Sequence, residues 1–320
     1  MKILIIGGGG NIGQQIISNI NLKEHYVFSI NKKKVFKSKK IKYLRLDYYK
    51  NHNKVKKLAD KYQFDIVVNL ICFNKSQVLR DYRLYKKYLS KYLFISSTSV
   101  YKRSKYLINE ESKMEKTENK YIKGKLEAEK FLINKTVGFP YVILRVCQIY
   151  GRNNIPSLFK KRTFTILKDI YLNKRIYLPK GYSNKWKIIF VNDLAKIIIQ
   201  IIDNKNKKLI NNYFNIVPDK SLSWRKIYKI YCLQLGKKIK KKYFSLNKIK
   251  NLDKNIYEHL NLDTLKSANF SNKKIFQIIK KTKFSNFERD IKYIIKKNKN
   301  KILATSYDQK LLKILSKSLV

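Results

Sequence analysis

Tyr121 and Lys125 stand four residues apart in NKYIKGKLEAEKFL, a stretch whose apolar spacing reads as a helix. That spacing puts both side chains on one helix face. An ammonium beside a phenol stabilises the phenolate and draws its pKa from about 10 toward working pH. A phenolate is then a general base for a substrate hydroxyl. Upstream, FISSTSVY ends an apolar run in serines, and a serine at a strand end can donate a hydrogen bond to the same substrate oxygen. With 24 tyrosines in the chain, Tyr-x-x-x-Lys arises easily by chance, so the serine-rich strand end before it carries the weight.

The second chemical stretch is GGGGNIGQQII, residues 7–17, which holds five of the chain's ten glycines, four of them side by side. It follows the apolar run KILII, so strand, glycine loop and helix come in the order that binds a dinucleotide pyrophosphate. Gly7 allows the tight turn, Gly10 lets backbone approach the phosphates, and Gly13 lets the helix pack against the strand. Asn11 and Ile12 lie between the last two, at the helix N-terminus that faces the anion. The tighter G-x-G-x-x-G spacing also fits, as Gly8, Gly10 and Gly13.

These groups need a frame. Strand patterns recur at 2–7, 25–31, 42–49, 64–73, 92–101 and 140–151, with helical patterns between most of them. Alternation of this kind predicts an α/β fold: a doubly wound parallel sheet of the Rossmann type, with a smaller C-terminal α/β lobe. Residues 1–150 read as the dinucleotide-binding domain and 151–320 as a substrate lobe, with about 187–205 returning to the sheet. The loop YGRNNIP, with Gly151 and Pro156, marks the boundary. The tail KILATSYDQKLLKILSKSLV has amphipathic helical spacing.

Composition narrows the class. No window is apolar enough to span a membrane, and the short N-terminal apolar run reads as a strand rather than a signal peptide. Cys72, Cys147 and Cys232 lie far apart, as do the three histidines, so neither a disulfide framework nor a metal cluster is expected. A cytoplasmic or equivalent reducing compartment fits. The formal charge is +52, from 73 Lys and Arg against 21 Asp and Glu. Such charge suits nucleic acid. The lysines, however, run along the whole chain together with Asn, Ile, Tyr and Phe, as a base-composition bias would produce, rather than clustering as a patch.

With the glycine loop, SSTSVY and the Tyr121/Lys125 pair in place, the chain resembles the extended short-chain dehydrogenase/reductase superfamily, its NAD-dependent epimerase/dehydratase family. LRVCQIYG (144–151), FVNDLAKII (190–198), YFNIVPDKSLSWRKIY (213–228) and ANFSNKKIFQIIKKTKF (268–284) extend the likeness to about residue 285. The resemblance implies that Tyr121 is the catalytic base. It makes Lys125 the base's partner and a holder of the nicotinamide ribose. Ser97, four before Tyr101, stands where the family has its catalytic Ser or Thr, and Asp47 resembles the acid near the adenine. It further implies a hydride-transfer epimerase or reductase acting on a nucleotide sugar; a homodimer is compatible with it.

Departures sharpen this. Family dehydratases carry Asp-Glu directly after the catalytic Thr, whereas here Thr98 and Ser99 follow Ser97, which disfavours water loss. Trp186 stands where many relatives place an Arg on the substrate diphosphate, and Gln148 where an Asn is expected. The second strand ends in Asn31, Lys32, Lys33 and Lys34 rather than in an acid, which tips the cofactor from NAD toward NADP. A competing class is an RNA-binding protein on the same fold with reduced or no catalysis. The high charge supports it, and the Ser97, Tyr121 and Lys125 set argues against it.

Overall fold

Long apolar runs such as Ile3–Ile6 and Tyr141–Leu144 belong to strands covered on both faces, because alternate side chains point to opposite sides. The computed structural model describes residues 1–32, 41–136, 138–159, 164–179, 184–265 and 269–319. Its first half runs β1 (Lys2–Ile6), α1 (Asn11–Asn19), β2 (Tyr26–Asn31), β3 (Ile41–Arg45), α2 (His52–Tyr62), β4 (Ile66–Asn69), α3 (Lys75–Tyr85), β5 (Lys91–Ser97), α4 (Lys120–Lys135), β6 (Tyr141–Val146) and β7 (Gln148–Tyr150). The second half runs α5 (Thr165–Tyr171), β8 (Arg175–Pro179), β9 (Lys185–Trp186), β10 (Ile188–Phe190), α6 (Val191–Asp203), β11 (Asn212–Ile216), β12 (Leu222–Ser223), α7 (Trp224–Leu235) and β13 (Lys240–Phe244). It closes with α8 (Leu246–Leu252), α9 (Lys254–Glu258), α10 (Lys273–Phe276), α11 (Phe287–Lys297), α12 (Lys299–Leu303) and α13 (Gln309–Lys317).

The main sheet has seven strands in the order β11-β6-β5-β4-β1-β2-β3, all paired in parallel. The predicted doubly wound Rossmann sheet is the fold observed. From β1 the chain winds outward through β2 and β3, then reverses to β4 on the other side. That switch opens a crevice beyond the strands' carboxyl ends, between β1 and β4. One apolar layer, with Ile3, Ile5, Val68, Leu93 and Leu144, covers one face; another, with Leu4, Ile6, Val67, Phe94 and Ile143, covers the other.

The run 140–151 is two strands rather than one. β6 lies in the main sheet, whereas β7, after Cys147, pairs with β10 in a separate ribbon. Within 187–205, β10 makes that pair and α6 packs beside α1. The strand that joins the main sheet from beyond residue 151 is β11. The amphipathic tail folds back on its own lobe: Ser245 N donates to Ser318 O at 2.9 Å, and Phe244 lies opposite Leu319. No helix among the described residues is long and apolar enough to cross a membrane.

A polar knot sits inside the first half. The fully buried Asp81 accepts from Tyr48 and Tyr92, both at 2.6 Å, and from Asn69 at 2.5 Å. Burial pushes its carboxyl up to about 6. Protonation is therefore easier in the fold than in the unfolded chain. The stabilising contribution is present at pH below about 4 and is lost as pH rises through about 6. Urea unfolding of wild type and Asp81→Asn at both ends of this window checks it. The wild-type midpoint is expected to fall relative to the variant's as pH rises, because the variant has no carboxyl to ionise.

Candidate active site

The four strand ends that frame the crevice carry the glycine loop after β1, Asn31 on β2, Asn69 on β4 and Ser97 on β5. Gly7 has φ 82°, a left-handed conformation that glycine adopts without strain. A Cβ on Gly13 would come within 2.3 Å of Gly8 Cα and 2.6 Å of Gly8 O, so α1 lies against its own loop. A Cβ on Gly10 would meet only Gly7 O, at 3.3 Å. Gly10 is also the N-cap of α1, with no side chain over the helix N-terminus. This cradle fits a pyrophosphate: bare backbone at Gly10 and an unblocked positive helix end at Asn11 and Ile12.

Beside the cradle, two sequence candidates are engaged with the protein itself. Asn31 is buried; its Oδ1 accepts from Gly9 N and its Nδ2 donates to Ser29 Oγ at 2.9 Å. Asp47 pairs with Lys32 at 3.0 Å, and that hydrogen-bonded contact holds its carboxyl below the usual range. Lys33 and Lys34 lie outside the described residues.

Tyr121 occupies the first turn of α4, whose N-cap Asn119 accepts from the Tyr121 and Ile122 N–H groups at 3.2 and 3.3 Å. Lys125, one turn later, is 3 % exposed. Its ammonium donates to Cys72 O at 2.5 Å and Ile95 O at 2.6 Å, and sits 5.9 Å from the centre of the Tyr121 ring. Burial lowers its pKa to about 8. Gly124 makes this reach possible. A Cβ there would lie 2.4 Å from Phe73 O, so only a bare α-carbon lets α4 settle onto the segment after β4.

Another turn along α4 comes Glu129, which sequence reasoning missed. It is buried, accepts from Ser96 Oγ, and pairs with Arg145 on β6 at 2.7 Å. Arg145 is fixed in turn by donating to Tyr101 Oη at 2.7 Å and Glu110 O at 3.0 Å. The charge pair sets the register of α4 over β5 and β6, and with it Tyr121 and Lys125. The i, i+4, i+8 spacing of Tyr121, Lys125 and Glu129 is the sequence signal that could have found it.

Ser97 ends β5; its Oγ accepts from Ser99 N at 3.1 Å and donates to Ser99 Oγ at 3.1 Å. Ser97, Tyr121, Lys125 and Ile12 line one cavity of about 380 Å³. The departures line it too: Thr98, Ser99, Gln148 and Trp186. Arg103, not singled out in the sequence, brings a cation to this wall. Its guanidinium lies 4.9 Å over the Trp186 ring, and Nη1 donates to Thr98 O at 3.4 Å.

The model of the NAD dependent epimerase/dehydratase family matches residues 3–216. No curated protein matches the sequence. Among solved structures the chain is similar to UDP-glucuronic acid 4-epimerase from Bacillus cereus, in complex with UDP-glucuronic acid and NAD. Identity is 17 %, over 93 % of this chain and 99 % of that one, with a TM-score of 0.74. It is also similar to UDP-glucose 4-epimerase from Thermotoga maritima, with UDP-glucose: 13 % identity, 94 % and 100 % coverage, TM-score 0.75. A third is UDP-N-acetylglucosamine 4-epimerase from Methanobrevibacter ruminantium M1, in complex with UDP-N-acetylmuramic acid: 17 % identity, 94 % and 98 % coverage, TM-score 0.75. At such identity the likeness is one of fold.

Proposed function

The chain belongs to the NAD dependent epimerase/dehydratase family, and from that premise we propose that it is an epimerase or reductase acting on a sugar hydroxyl or ketone of a nucleotide sugar. The observation that carries the reading is the single cavity lined by Ser97, Tyr121, Lys125 and the first turn of α1. The same gathering favours chemistry over RNA binding as the chain's role.

NAD would lie with its pyrophosphate against Gly7, Gly10, Asn11, Ile12 and Gly13 and its ribose near Lys125. When bound, its nicotinamide accepts a hydride from the substrate carbon or returns one. Tyr121 takes the hydroxyl proton as that carbon is oxidised, and gives it back on reduction. Lys125 spends two of its three N–H donors on carbonyls; the third serves a ribose hydroxyl, and its charge favours the phenolate. Ser97 steadies charge on the reacting oxygen. Thr98 and Ser99 have no carboxyl, so elimination of water lacks its acid and base. Arg103 supplies positive charge beside Trp186, on the wall assigned to the diphosphate.

The Lys32–Asp47 pair supports NAD over NADP, because the Lys32 charge is already matched. Fluorescence titration with both nicotinamides tests this, and preference for the phosphorylated form would refute it. Gly10→Val is expected to fold with a modest loss of stability, since its Cβ lies 3.3 Å from Gly7 O, a tight contact that the loop relieves by shifting a few tenths of an ångström. The valine would nevertheless stand where the pyrophosphate approaches and weaken NAD by at least about tenfold. Equal affinity in wild type and variant would remove the glycine loop from the site. Turnover of a panel of nucleotide sugars with NAD then tests the substrate class.

A further inference from the structure

A second cavity, of about 390 Å³, lies between the second turn of α1, the first turn of α6, the loop after β7, and the helices α11 and α12. It shares no lining residue with the Ser97 cavity. Three cations line it from separate elements: Arg152, Lys297 and Lys301. Gln15, Asn153, Asn192 and Asn298 add amides, and Phe190 and Tyr293 add rings; among these described lining residues no carboxylate stands.

In so basic a chain the number of cations decides nothing. Their fixing does. Arg152 has φ 54°, a left-handed conformation that is uncommon for a side-chain-bearing residue. It is locked there by Asn298, which is 4 % exposed and donates to Arg152 O at 3.1 Å. The reciprocal bonds Gly151 N to Asn154 O, 2.7 Å, and Asn154 N to Gly151 O, 3.0 Å, close the same turn. Lys301 donates to Asn153 Oδ1 at 3.1 Å and Lys297 to Tyr293 Oη at 3.3 Å. Both lysines rest on neutral oxygens, which position their charge without cancelling it. The lysine-rich cavity beside β12 and α11 differs, for Asp219 and Glu288 line it, and Asp219 pairs with Lys281 at 3.2 Å.

We propose that the cavity of Arg152, Lys297 and Lys301 is a second ligand site, for a small phosphate-bearing anion. Three exposed like charges converging on one open cavity repel, and a multivalent anion removes the repulsion while accepting from all three. Phosphate suits the donor set better than a monovalent ion, having several oxygens for a guanidinium, two ammoniums and the amides. The site does not depend on the reading of the Ser97 cavity.

Isothermal titration calorimetry of the full chain with inorganic pyrophosphate at physiological salt tests it. Wild type is expected to bind, and Lys297→Gln/Lys301→Gln to lose this binding by more than about tenfold. Arg152→Gln, alone, should show the same direction. A charge-matched control, Lys220→Gln/Lys283→Gln, removes two cations from the other lysine-rich cavity and is expected to bind within about twofold of wild type. All these side chains line their cavities and are exposed, and none of them forms an ion pair among the described residues, so urea midpoints verify folding. Binding at the glycine loop would survive the Lys297/Lys301 change and so cannot imitate the result. Absence of binding in wild type, retention in Lys297→Gln/Lys301→Gln, or an equal loss in the control would overturn the proposal.

Discussion

Tyr121→Phe is expected to reduce turnover by roughly 10²- to 10⁴-fold, the usual worth of a positioned acid/base group. The substitution keeps the ring beside Phe73 and the backbone N–H that Asn119 accepts. It removes only the oxygen that carries the proton, and Tyr121 is 42 % exposed, so folding and NAD affinity should persist. The substrate panel supplies the assay. Wild-type turnover by Tyr121→Phe on an active substrate would disprove the assignment. The pH profile gives a second readout. Lys125 is held down to about 8 by burial, so its charge is present below that pH and fades above it. Support for the phenolate fades with it, and the rate is expected to decline as pH rises through about 8. Lys125→Met should weaken NAD as well, since charge and ribose donor go together.

Gly13→Val should unfold the protein or cost more than about 4 kcal/mol, a size reserved for a few mechanisms of which backbone overlap is one. The first added carbon would lie 2.3 Å from Gly8 Cα, and that neighbour is backbone, with no side chain to swing aside. Either α1 lifts from its loop or β1 moves, and both carry buried core: Ile16 on α1 and Ile3 to Ile6 on β1. Urea or thermal unfolding of the variant checks it. The contrast with Gly10→Val is the decisive part, because two glycines three residues apart should fail differently, one in stability and the other in cofactor affinity. A Gly13→Val protein as stable as wild type would mean that the close approach of α1 to Gly8 is not required.

Local pattern determined much about this chain. Apolar runs bounded by glycine and charge placed β1, β2 and β5 and the helices after β1 and before β6, and alternation of the two made a parallel doubly wound sheet the economical arrangement. The glycine loop and the Tyr121/Lys125 spacing were visible because their chemistry is short-range: a turn, a helix end, a helix face. The tertiary structure decided whatever depends on partners distant in sequence. Glu129 reads as one more exposed helix carboxylate until Arg145, 16 residues away on β6, buries it. Gly124 reads as a weak point in a helix until Phe73 O is seen 2.4 Å from where a Cβ would stand. Asn31 and Lys32 read as cofactor contacts in the sequence, and only the tertiary structure shows that Gly9 and Asp47 engage them. The break at Cys147, which sends β7 out of the main sheet, has no signal in an apolar run, because hydrophobicity states that a strand is covered but not which sheet covers it.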